Sequence, residues 1–326
     1  MDLRKVQRTS SGTFFVCLPK DWAEQKKLER GSVVAISETA DGRLIIDTEY
    51  DAKPIPQIAV VNPTPHLDRE IIEKYLLGYD IIQVEAKERI SLSERNRVKQ
   101  TSSRLVGLEI IEEDQARIIM QCLLEPSAFP PEKILRREYS IASGMHRDAI
   151  TALIEGDVHL AKNVVARDNE VDRLYFLLVR ILRTVIQNPG LSERLKILAI
   201  DCLDYRLVAS LVESIGDQSV QVAEQAVELD GVKIVDELSK LILNLHKVVY
   251  NSHECALRAM FSRDVSLAES VGDNKEEIVG SLHKIKLSAQ AQPIEVAPRI
   301  LAAVSSIERI YDHSVDVADL VMPRLV

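Results

Sequence analysis

Two stretches of the chain, Glu213-Ser-Ile-Gly-Asp217-Gln-Ser-Val-Gln-Val-Ala223 and Glu308-Arg-Ile-Tyr-Asp312-His-Ser-Val-Asp-Val-Ala318, place a Glu and an Asp four residues apart in matching apolar frames. Seven of the eleven positions are identical at an interval of 95 residues. On a helix that spacing stacks both carboxylates on one face. Like charges so placed cost a helix roughly 0.2–0.5 kcal/mol per pair. A bound cation or a basic partner surface would offset them, and an ordinary solvated acidic stripe is the third reading.

A second pair precedes the first copy. Asp168-Asn-Glu-Val-Asp172 has the same spacing one predicted helix earlier. Carboxylates from facing helices of a bundle would supply the all-oxygen surroundings that Mg²⁺, Ca²⁺, Mn²⁺ or iron favours. The later half is less regular. Asp264-Val-Ser-Leu-Ala echoes Asp157-Val-His-Leu-Ala, but gapless continuation sets Lys275 and Val279 opposite Asp168 and Asp172. A two-residue shift is needed to bring Asp273 and Glu277 into those places, so the second set is expected to be incomplete. His313, beside Asp312, is a further donor, although a lone helical His commonly faces solvent or a hydrogen-bonding neighbour. None of the seven His residues lies three after a Glu, against ferritin-type di-iron chemistry. No nucleophile, base and orienting group form a recognisable set, so the chain is read as a non-enzyme.

The elements that must hold these residues fall into three segments: 1–50, 51–130 and 131–326. The first is read as short strands around one helix. Thr13 to Leu18 is β-rich, Asp21 to Leu28 is helical, and Asp41-Gly42 joins two apolar runs as a hairpin. Fifty residues build a marginal core, so this segment predicts a homodimer. The second alternates strand and helix as a small α/β module, with a capping box at Ser91-Leu-Ser-Glu94. The third is helical throughout, with breakers at Gly156-Asp157, Pro189-Gly190, Asp230-Gly231, Arg263-Asp264 and Pro293. They divide it into six helices, and the Glu–Asp copies fall in the third and sixth. A period of three helices predicts two three-helix repeats, about 131–230 and 231–326.

Composition sets bounds on function. The chain is 46% hydrophobic and 28% charged, with a net charge of −9. No window reaches the roughly 18 apolar residues that a membrane span needs, and Arg4, Lys5 and Arg8 run into a Ser-Ser-Gly turn where a leader would be apolar. Four widely separated cysteines predict reduced thiols in a cytoplasmic protein. Residues 1–30 carry seven Lys/Arg against four Asp/Glu, a locally basic start on an acidic chain.

The run Asp168 to Tyr175 (D-x-x-V-D-x-L-Y), with E-S-I-G-D at 213–217 and E-R-I-Y-D at 308–312, resembles the PhoU family over residues 131–326. The resemblance implies an all-α fold of two homologous three-helix bundles, with clustered metal ions, iron or zinc among them. Manganese or magnesium would suit the same oxygens. The implied ligands are Asp168, Asp172, Glu213, Asp217, Asp273, Glu277, Glu308 and Asp312. Residues 1–50 are similar to AbrB/SpoVT-type swapped-hairpin barrels, through Arg4-Lys5-Val6-Gln7, Ser11-Gly12-Thr13, Leu18-Pro19-Lys20-Asp21-Trp22 and Leu28-x-x-Gly31-Ser32-Val33. That likeness implies a DNA-binding dimer using Arg4, Lys5, Arg8 and Lys20 on pseudo-palindromic promoter sites. The pair resembles archaeal phosphate-uptake regulators. The leading expectation is therefore a phosphate-responsive transcriptional regulator with a metal-binding helical body. The alternative is an adaptor without DNA activity that docks on a phosphate transporter or its sensor kinase.

Overall fold

The computed structural model describes residues 3–38, 42–48 and 56–321. Met1–Ile55 and Pro56–Val326 form separate compact units.

In the first unit β1 (Gln7–Arg8) pairs antiparallel with β2 (Phe14–Phe15) across a turn in which Gly12 takes a positive φ of 95°. Helix α1 (Lys20–Gln25) starts directly after Pro19. β3 (Ala35–Glu38) then pairs antiparallel with β4 (Leu44–Asp47). Asp41 of the expected hairpin turn and Pro54 of the following linker lie outside the described residues. No described residue of this unit is buried, and Phe14, Val33 and Leu44 stand 65–68% exposed.

The second unit opens with β5 (Ile58–Val61), α2 (Leu67–Leu76), β6 (Ile81–Glu85), α3 (Leu92–Ser103), β7 (Leu108–Glu113) and β8 (Arg117–Cys122). The sheet order is β5-β6-β8-β7, with β5 and β6 parallel and the remaining pairs antiparallel. α3 begins at the expected capping box. Ser91 accepts from the Glu94 N–H while the Glu94 carboxylate accepts from the Ser91 N–H, each bond answering a donor the helix leaves free.

Eight further helices follow: α4 (Pro131–Glu155), α5 (Val158–Gln187), the short α6 (Pro189–Leu195), α7 (Asp201–Glu228), α8 (Asp236–Ser262), α9 (Val265–Gly272), α10 (Lys275–Gln290) and α11 (Ala297–Asp319). α4, α5 and α7 pack on one another, as do α8, α9–α10 and α11, and a broad seam between α7 and α11 joins the two groups. Corresponding breakers act alike. Gly156 and Arg263 end α4 and α8 in the left-handed region, and Asp157 and Asp264 cap the next helix through the N–H three residues on. Where a single fifth helix is expected from the sequence, the chain forms α9 and α10, broken at Asp273-Asn274.

The α/β module is anchored to α5 by Arg180, which is buried. Its guanidinium donates to the carbonyls of Tyr75 (2.7 Å), Tyr79 (2.9 Å) and Gly78 (3.2 Å), satisfying the end of α2.

Candidate functional site

α5 and α7 carry two acidic pairs toward each other. Burial pushes Asp168 up to about 6, with the charges of Asp172 and Asp217 adding to it and Arg104 opposing. Glu213 is pushed up to about 7 by burial, then by Asp217, Asp172 and Asp168. Asp217 is raised by burial and by Asp172, while His313 on α11 pulls it down. The four expected ligands of the first copy thus share one electrostatic neighbourhood. Asp168 and Asp217 line a cleft of about 650 Å³ with Gln218, Ser306 and Arg309.

Gly216 lies at this approach. A Cβ at that position would make ordinary contact, 3.5 Å from Val171 Cγ1 and 3.9 Å from Asp168 Oδ1, so alanine fits there and a bulky ring would press on α5. Two further residues complete the site, and neither belongs to a motif. Glu138 on α4 is fully buried, both carboxylate oxygens lack a partner, and burial together with Glu213 holds its carboxyl well above the usual range. It interrupts an apolar helical register of Ile134, Leu135, Ala142 and Met145, and a Glu inside such a stripe is the signal that could have found it. Arg104, which follows α3, donates to Asp172 Oδ2 at 2.9 Å. Tyr175, from the D-x-x-V-D-x-L-Y run, lies under Arg206, whose charge opposes those of Glu138 and Glu213.

The second copy is built differently. Tyr311 occupies the place of Gly216, and its hydroxyl donates to the Val271 and Gly272 carbonyls (3.2 and 3.4 Å) at the end of α9. Asp273 terminates that helix, and it acts with Asp312 to raise the Tyr311 hydroxyl after burial. Glu277 is exposed and lines a separate cleft of about 530 Å³ between α8 and α10 with Lys247 and Lys284. Glu308 is half-buried and Asp312 exposed on α11. His313 Nδ1 lies 3.7 Å from Asp316.

The donor types of the first copy suit a hard cation, and their mutual repulsion together with the unpartnered Glu138 oxygens is the kind of imbalance a cation offsets. As the side chains stand, no three His, Cys, Asp or Glu among the described residues converge as a ligand set. Asp172 is turned to Arg104 instead. In the second copy Asp273 and Asp312 both act on Tyr311, whereas Glu277 lies in the separate cleft with Lys247 and Lys284.

The basic residues at the other end are all exposed. Lys20 pairs with Glu24 at 3.6 Å, and Arg8 lies over the Phe14 ring while its Nε donates to Gly12 O at 3.4 Å. Lys20 and Arg8 are thus engaged locally.

A carboxylate-lined helical bundle attached to a small α/β module is the class this fold and site define. The chain belongs to the PhoU domain family, whose model matches residues 135–226 and 242–321. It is 26% identical over 207 residues to a phosphate-specific transport system accessory protein PhoU homolog of Rhizobium meliloti, covering 60% of this chain and 86% of that protein. The PhoU crystal structure from Pseudomonas aeruginosa matches with a TM-score of 0.54 at 21% identity, covering 60% of this chain and 95% of that one. The phosphate transport system regulatory protein PhoU from Streptococcus pneumoniae matches at 0.50 and 16% identity, over 59% and 91% of the two chains.

These likenesses correct the leading expectation from sequence. The proteins that resemble the chain are described as transport accessory and regulatory proteins, not as DNA-binding transcription factors. The reading of the chain as a DNA-binding transcriptional regulator is overturned. Among the described residues, no helix is long and apolar enough to cross a membrane.

Proposed function

We propose that the chain is a cytoplasmic adaptor that docks through its helical body on a phosphate transporter or its sensor kinase. The observation that carries this reading is the family match across α4–α11, together with an acidic cluster on the facing helices α5 and α7. The body consists of two three-helix repeats, about 131–230 and 231–326, following an α/β module at 51–130. Residues 1–50 form a swapped-hairpin homodimerisation element similar to AbrB/SpoVT domains. The lack of any buried residue among its described positions supports a second copy as the missing half of its core.

The first copy binds a divalent or ferric ion (iron, zinc, manganese or magnesium) through Asp168, Glu213 and Asp217, with Asp172 joining after release from Arg104. Asp273, Glu277, Glu308 and Asp312 of the second copy hold metal more weakly or not at all.

Affinity purification of the tagged full chain from detergent-solubilised cells, grown in high and low phosphate, tests the adaptor role. Transporter subunits or the sensor kinase are expected to be enriched over a tag-only control. Enrichment of neither under either condition would overturn the reading. Metal content separates the two copies: E213Q/D217N is expected to lose the ion, and E308Q/D312N to keep it.

A further inference from the structure

Three of the seven histidines and a tyrosine meet in one hydrogen-bonded chain where α4 contacts α8. The Tyr139 hydroxyl lies 2.8 Å from His253 Nδ1, His253 Nε2 lies 3.2 Å from His146 Nδ1, and His146 Nε2 lies 3.3 Å from His246 Nδ1. His146 and His253 are fully buried, while Tyr139 and His246 at the two ends are half-buried. The Tyr250 ring packs against all three imidazoles.

The members of the chain correspond in pairs along the sequence. His146 and His253 are 107 residues apart, as are Tyr139 and His246, and as are the capping residues Asp157 and Asp264. It therefore straddles the correspondence between the two helical groups. The α4–α8 contact that it occupies is narrow, whereas the α7–α11 seam is broad.

A neutral imidazole offers one donor and one acceptor, so neutral rings satisfy the whole chain with every bond running in one direction or in the other. A proton added to one ring is a charge buried without solvent. A second sets N–H against N–H. The charged and titratable groups that act on the chain are Arg147 on α4, which opposes charge on His246, and Tyr250, Glu254 and Cys255 on α8, which raise the Tyr139 hydroxyl after burial. Burial is the main cause that pulls His246 down to about 4 and His253 to about 3, and it holds His146 well below its usual value.

We propose that this chain is a proton-operated latch. It holds α4 against α8 at neutral pH and releases that contact as the rings are protonated, with the two groups pivoting about the α7–α11 seam. The closed state has the depressed pKa values, so it is fully favoured above the ordinary imidazole value and is lost as pH falls from there toward the depressed values. Each His released to water shifts the balance by roughly tenfold per pH unit below about 6.5, so three together give about a thousandfold at pH 5.5.

Hydrogen exchange of the full chain at about pH 7.5 and 5.5, corrected for intrinsic rates, tests this. Amides near 139–147 and 246–254 are expected to exchange at least about tenfold faster at the lower pH, with α7 and α11 unchanged. H246Q, at the half-buried end, is expected to shrink the effect by about tenfold because one titrating ring is gone. An equal pH response in variant and wild type would overturn the latch. Imidazole ¹⁵N shifts of the wild type provide a second measure without any variant. Neutral rings that titrate together with the exchange support the latch, and rings that titrate near 6.5 without faster exchange overturn it. A stoichiometric metal lost in H246Q would make the cluster a metal site and also overturn it.

Discussion

The two Glu–Asp copies share seven of eleven residues yet build different surroundings, and one pair of residues accounts for much of the difference. At Gly216 the helices α5 and α7 come close enough for neighbouring charges, Asp172 among them, to raise Asp168, Glu213 and Asp217. At the matching position Tyr311 fills the space, and its hydroxyl takes up two carbonyls at the break between α9 and α10. The comparison shows that a duplicated motif preserves which face of a helix carries charge. It does not preserve what that face meets. Convergence depends on the residue at the helix crossing, which lies inside the motif but outside its charged positions.

The largest expected effect comes from making the first copy resemble the second. Gly216→Tyr forces a buried ring between α5 and α7 and is expected to cost about 3 kcal/mol, the upper end of overpacking, read from the urea midpoint. A loss under about 0.5 kcal/mol, the range of an ordinary surface change, would mean that the close approach does not separate the copies.

A middle-sized effect tests the electrostatics. Asp168, Glu213 and Glu138 have raised folded-state values, so their contribution is fully present below the unfolded carboxylate range and is lost as pH rises through about 6 and about 7 for the first two. Metal-free protein is therefore expected to lose stability between about pH 5 and 8, and Glu138→Gln to recover about 1–2 kcal/mol of that loss. An unchanged slope in chemical denaturation at the two pH values would remove Glu138 from the cluster.

The smallest effect belongs to the second copy. Tyr311→Phe removes one hydroxyl from the α9 terminus and is expected to cost about 1 kcal/mol, with no change in metal content. A drop in metal content would show that the second copy holds metal after all and blunt the contrast.

Much of the helical body is legible from local pattern. The breakers, the Asp157 and Asp264 caps, and the Ser91–Glu94 box each act within one turn of chain, where side chain and backbone choose structure together. The fifth helix is the exception. Its apolar spacing runs on through Asp273-Asn274, but the chain divides there, and the freed carbonyls find a partner 40 residues away in Tyr311. The site was partly legible. Asp168, Asp172, Glu213 and Asp217 follow from spacing, whereas Glu138 and Arg104 belong to other elements and carry no motif. The histidines carry no such signal either, since intervals of 100 to 114 residues form no local pattern.

The sequence by itself determined the long helices, the recurrence of the Glu–Asp motif and the faces that carry carboxylates, because helical periodicity and capping are short-range. Tertiary structure alone decided which carboxylates share a neighbourhood, that Asp172 turns to an arginine of another module, and that three histidines line up between α4 and α8. Those outcomes depend on how helices cross, and a crossing is set by the bulk of buried side chains such as Gly216 and Tyr311 packing at close distance. Charge pattern names the candidates, and packing chooses among them.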